Sequence, residues 1–336
     1  MTLHPLHTVS AHTAPLVAPA FSPDGARVAA GDGDGRLVVW EREGADPEAP
    51  FRPAAEIRVP PAGPYSRPQV RAVCWPPAQE AFLAVHEYRG VCLRDAADLS
   101  ERALAPHVGS GPIASGGGGA WLAALRETSV AILGLPGLEQ RRSHYPSDPG
   151  GHEYFRTSAL AADRDGALVA VGDDGGSDET AMGMTLRSGP PKVTLIDVEK
   201  NATVAEITDE RAHRLMFDPW RGRLLVVTYG DVAVYRPDGP PVRRFRPYAE
   251  GLGSYVRALA ITERWLITTA ASHTPSAPAA LDVWDPETLA PVASVPVPGG
   301  RAPEWIVPSP DGRTLLTPEQ SADSSRWGIR VWSLRD

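Results

Sequence analysis

Short apolar runs, about four to eight residues long, recur along the whole chain between clusters of Pro, Gly, Asp and Ser, and a 3.6-residue period is nowhere sustained. That pattern predicts an all-β chain. One phrase returns near both ends: an apolar run, Ser-Pro-Asp-Gly, a second apolar run and a strand ending in Trp, at 20–40 and again at 308–332. Weaker copies lie between them, VRAVCWPPAQEAFLAVHEYRGVCLRD at 70–95 and HRLMFDPWRGRLLVVTYGDVAVYRPDG at 213–239 among them.

Seven copies, with cores at about 16–40, 70–95, 111–134, 157–200, 213–239, 256–288 and 304–335, predict a seven-bladed β-propeller spanning 1–336 as a single domain. A count of six or eight blades is the competing reading. Each copy supplies three antiparallel strands, a, b and c, and the apolar segment after it supplies an outer strand d. The last copy has no d strand, whereas residues 6–10 have no a, b or c before them. The N-terminal strand is therefore expected to pair in the last blade, which would close the ring and remove its exposed edges.

The SPDG turns at 22–25 and 309–312, Trp284-Asp285, Trp40 and Trp332 at matching third-strand positions, and Asp34 six residues before Trp40 give the chain its family likeness. It resembles the WD-repeat family. The resemblance implies a staple in which a histidine before strand a, an aspartate in the b–c turn and the tryptophan hydrogen-bond together; His12, Asp34 and Trp40 match it in blade one. Elsewhere the spacing fails, with Pro278 and Arg326 at the aspartate position and Leu93 and Leu133 at the tryptophan position. The resemblance also implies a non-catalytic interaction scaffold with a protein or peptide partner.

Composition narrows the function further. A formal charge of −8 without a basic run argues against nucleic acid as a partner. No run of about 18 apolar residues is present, and the N-terminal residues lack the basic and apolar regions of a leader, so a cytoplasmic protein off the membrane, and a monomer, is expected. Two lysines against abundant Arg, Ala, Pro and Gly match the codon usage of a high-GC bacterium. Cys74 and Cys92 fall on the first and third strands of one blade, too far apart for a disulfide. No phosphate-binding, dinucleotide or nucleophile-elbow motif occurs, and no cofactor is expected.

In a propeller the d–a and b–c loops share one face. Seven of the eight tyrosines (65, 88, 145, 154, 229, 248, 255) and seven of the nine histidines (12, 86, 107, 144, 152, 213, 273) fall in loops assigned to it. Aromatics and arginine favour interface centres, so this face is the expected binding surface. Aligning the a strands puts Arg71, His213, Arg257 and Glu304 at one position, with Ser110 and Ser158 in other blades, a set suited to a carboxylate or phosphate at the channel mouth. The competing reading is that these arginines bond carbonyls of neighbouring blades. The expected binding residues are Arg71, Tyr88, Tyr154, His213, Tyr229, Tyr255, Arg257 and Glu304. The alternative function is an enzyme or small-molecule-binding propeller using His, Tyr and Arg there, or a metal on His86, His152, His213 and His273, for which no ligand-spacing motif exists. Insertions at 173–192, 271–280 and 318–326 lengthen three b–c turns on the same face.

Overall fold

The computed structural model describes all residues except 62, 109–110, 127–128, 145–156, 174–178, 182–183, 187–189, 209, 229, 238, 240, 249–254, 272–278, 322–325 and 336. Seven four-stranded antiparallel sheets follow one another, each built in the order a, b, c, d. The b and c strands read as continuous apolar runs because both of their faces are covered by adjacent blades. Phe82–Glu87 and Gly90–Asp95 in blade 2, and Ser129–Gly134 in blade 3, are buried almost throughout. The d strands, such as Ala202–Thr208 and Pro291–Pro296, alternate instead because one face meets water. The a strands of successive blades approach one another and line the central channel. Among the described residues no helix is long and apolar enough to cross a membrane.

The last blade is closed by the N-terminus. Thr2–His12 runs antiparallel to Trp327–Arg335, from Thr2 opposite Arg335 to His12 opposite Trp327, a longer strand than 6–10. Core residues cross the seam, with Val9, Ile329 and Val331 packing in one cluster with Val38 and Trp40 of blade 1. Leu3 joins a second cluster with Trp332 and with Ala258 and Leu281 of blade 6. The insertion in blade 4 contains a short hairpin, Glu179–Ala181 with Met184–Leu186, and much of the rest of that insertion and of the one in blade 6 lies outside the described residues.

His7 sits on this closing strand with its ring 6.2 Å from that of Phe51, over which Arg42 stacks at 4.7 Å. Its Nε2 is buried without a hydrogen-bond partner. Burial first, and the charge of Arg42 second, hold its pKa below the ordinary 6.5. The unfolded chain therefore takes up this proton at higher pH than the folded one, so the stability His7 contributes is present above about 6.5 and lost as pH falls below it. Melting temperatures measured from pH 7 to 5.5 should fall, and fall less steeply in His7→Leu. Burial also lowers the pKa of His144, which leaves a residual slope. Equal slopes in the two proteins would show that His7 ionises freely in the ring.

The staple in blade 1 differs from the expected one by two residues. His12 Nδ1 donates to Asp32 Oδ2 at 2.7 Å, and both side chains are 1% exposed. The other carboxylate oxygen of Asp32 accepts the backbone N–H groups of Asp34 and Arg36. Asp32 thus folds over the turn it begins, while Asp34 stands exposed at the tip. The Trp40 ring lies 5.7 Å from that of His12.

Elsewhere the staple survives with other residues. In blade 6, Trp284 Nε1 donates to Thr268 Oγ1 at 2.9 Å; Tyr248 Oη meets the same hydroxyl and donates to Asp282 at 2.9 Å. In blade 7, Trp332 Nε1 donates to Thr317 Oγ1. In blade 5, Tyr235 occupies the tryptophan position and donates to Glu210. In blade 2 the buried Glu87 carboxylate receives Arg94 and Arg89. Cys74 and Cys92 are free thiols, and burial pushes Cys92 up to about 12. The glycine run at 116–119 is a turn wedged between blades: a Cβ at Gly119, whose φ is +89°, would meet Pro77 O at 1.9 Å.

Candidate channel-mouth site

Each a strand begins at the face carrying the d–a and b–c loops, so its first residues surround the channel mouth. In blades 2, 4 and 6 it holds one extra residue against its b strand, at Arg71, Ser158 and Arg257. These three positions are therefore equivalent in backbone as well as in alignment. In blade 5 both His213 and Arg214 oppose Val227, a related irregularity.

Blades 5 to 7 bring five side chains together. The His213 ring packs edge-on against Tyr255 at 6.5 Å, and its Nε2–H donates to Val256 O at 2.7 Å, since a carbonyl can only accept. Arg257 forms an ion pair with Glu304. Arg214 donates through Nε to Arg257 O at 2.9 Å and through Nη2 to Glu304 O, tying three blades together. The carbonyl-bonding role considered for Arg257 thus belongs to Arg214, a residue that sequence alignment passed over because the irregularity displaces it by one. Burial lowers the pKa of Arg214; Glu304 opposes that effect and Arg257 adds to it.

Across the mouth, the Arg71 guanidinium stacks on Tyr88 at 4.8 Å, with Arg71 exposed and Tyr88 51% exposed. Tyr154, Tyr229, His152, His273, Ser110, Tyr145, Arg156 and Arg187 lie outside the described residues. Other residues assigned to loops are interior. His86 is on strand b of blade 2, fully buried, with Nδ1 bonded to Gly111 O at 2.7 Å, and Tyr248 belongs to the blade 6 staple. His86 and His213 therefore each rivet one blade to the next. No group of three potential metal-ligating side chains occurs among the described residues.

A cavity of about 330 Å³ adjoins the cluster, lined by His213 and Arg214 together with Leu160, Leu215 and Leu259. A larger one, about 630 Å³, opens on the opposite face between Glu48, Trp220, Trp265 and Asp311. Aromatics therefore occur on both faces: tyrosine and histidine mark one, tryptophan the other. In the larger cavity Glu48 already holds Ser333 and Arg335, so much of its charge is spent internally.

Residues 3–41 match the family described as "WD domain, G-beta repeat". That stretch covers the closing strand of blade 7 and strands a to c of blade 1. No curated protein matches the chain. Among solved structures, the β-propeller domain of Myceliophteria thermophila Cps50 (Swd1) superposes with a TM-score of 0.73 at 16% identity, covering 99% of this chain and 100% of that one. A chain in the crystal structure of a mitotic checkpoint complex superposes with a TM-score of 0.70 at 16% identity, covering 99% and 95%. At that identity the likeness concerns the fold: the chain is a seven-bladed β-propeller that carries a WD-type repeat across the seam where its ring closes.

Proposed function

We propose that the protein is a non-catalytic interaction module that holds a protein or peptide partner on the face formed by its d–a and b–c loops. The observation that carries this reading is the exposure of aromatic and guanidinium groups on that face. Tyr65 is fully exposed, Tyr88 is half-exposed under Arg71, and Tyr255 and Arg257 border the channel across from them. Tyr and Arg offer large contact area with a polar end and little entropy to lose, which suits the centre of an interface. One of the structures with this fold is a chain of a multi-protein complex, in keeping with a scaffold role.

The test uses peptides selected from a random library on the immobilised protein. Arg71→Ala and Tyr88→Ala should each weaken binding by about 1 to 3 kcal/mol without shifting the melting temperature. Arg164→Ala, an exposed site on the opposite face, should leave binding unchanged. Equal losses in all three variants would contradict the assignment of the face.

A further inference from the structure

The cluster under the channel mouth has a charge balance that the fold does not close. Two guanidiniums, Arg214 and Arg257, share one carboxylate, Glu304, and that carboxylate is committed to Arg257. Arg214 spends its two hydrogen bonds on carbonyls, which satisfy donors but carry no countercharge. His213 adds no acid, since its Nε2–H is given to Val256 O. Among the described residues the site therefore holds one positive charge in excess, half-buried, where water screens it less than at the surface. Arg214 and His213 also line a cavity of about 330 Å³ whose other walls include the aliphatic Leu160, Leu215 and Leu259. A pocket of this size with apolar walls and a few convergent polar groups matches the usual form of a small-ligand site.

We propose that the upper channel binds an apolar monocarboxylate, its chain against Leu160, Leu215 and Leu259 and its carboxylate at Arg214 and Arg257. One excess charge calls for a monoanion, and aliphatic walls call for an aliphatic body. Either a free carboxylic acid or the C-terminal carboxylate of a peptide ending in an aliphatic residue has this chemistry. Glu304 occupies part of the position the ligand carboxylate would take, so it competes with the ligand for Arg257. The inference rests on reading this face as a binding face, but it concerns the channel and does not require Arg71 or Tyr88.

The probes are octanoate, octanol, octyl phosphate, and a short peptide ending in leucine with a free or an amidated C-terminus, titrated calorimetrically into the full chain. Octanoate or the free-acid peptide should bind, and octanol and the amide should bind at least about tenfold more weakly. Glu304→Gln should tighten carboxylate binding by about fivefold to tenfold, because it removes the internal competitor. Arg257→Gln should weaken it by a similar factor, and neither change should affect octanol. A gain of affinity in Glu304→Gln cannot arise from damage to the fold, which keeps the test decisive even if Arg214→Met fails to fold. Tighter binding of the free-acid peptide than of octanoate assigns a partner's chain end, and the reverse assigns a free acid. Absence of carboxylate binding in both the wild type and Glu304→Gln, equal affinity for octanoate and octanol, or preference for octyl phosphate would overturn the proposal. Losses confined to Arg71→Ala and Tyr88→Ala with library peptides bear on the loop face alone, so the two readings fail separately.

Discussion

Removing residues 1–10 should cost at least about 5 kcal/mol, comparable to the whole stability of many domains, and should leave a chain that does not persist as a folded monomer. Leu3 and Val9 are buried, and each buried side chain of this kind contributes about 1.5 to 3 kcal/mol. The strand ladder along Trp327–Arg335 is lost with them, at about 1 kcal/mol net for each hydrogen bond. The deletion also uncovers Trp332, which is fully buried in the intact ring, and leaves Trp327–Arg335 as an unpaired edge that invites association. Circular dichroism melting with light scattering checks this. A truncated protein that stays monomeric and melts with the full-length chain would contradict the ring closure.

Asp32→Ala should destabilise the protein by about 3 to 5 kcal/mol, whereas Asp34→Ala should cost less than about 0.5 kcal/mol. Asp32 accepts the hydrogen bond of a histidine nitrogen that is itself out of contact with water, and it also satisfies two backbone N–H groups of the b–c turn. Its loss leaves His12 and the turn unsatisfied together. Asp34 offers the turn only its backbone. Urea denaturation midpoints of the two variants give the comparison directly, and the opposite ranking would restore Asp34 as the staple residue.

The same pair of aspartates shows where the sequence stops being legible. The blades could be read because their signals are local. Ser22 and Ser309 each accept the N–H of the residue five positions on, Arg27 and Thr314, and Gly25 and Gly312 take φ of +73° and +67°, so two copies of SPDG make the same turn. The b and c strands add continuous apolar runs that need no register. The site depends on register throughout. Asp32 and Asp34 lie two residues apart and only Asp32 reaches His12, while His213 and Arg214, adjacent at an irregularity, reach different carbonyls of the next blade, Val256 and Arg257. His86 looked like a loop residue because His86-Glu87 precedes a Tyr-Arg-Gly turn, but pairing continues through Glu87 opposite Gly90 and turns both side chains inward. Tyr248 was hidden for another reason: it does a histidine's work in the blade 6 staple with a different functional group. Single-sequence spacing rules cannot register such a replacement, because the geometry is kept while the residue type changes.

Hydrogen–deuterium exchange of the full chain, with and without a library-selected peptide, tests directly whether the d–a and b–c loops form the functional face. Bound peptide is predicted to slow exchange at 63–69, 88–90 and 255–257, which surround the channel mouth, and to leave 46–48, 219–222 and 262–265 on the opposite face unchanged. Protection confined to those opposite-face segments, around Trp220 and Trp265, would contradict the account and move the binding site to the other end of the channel.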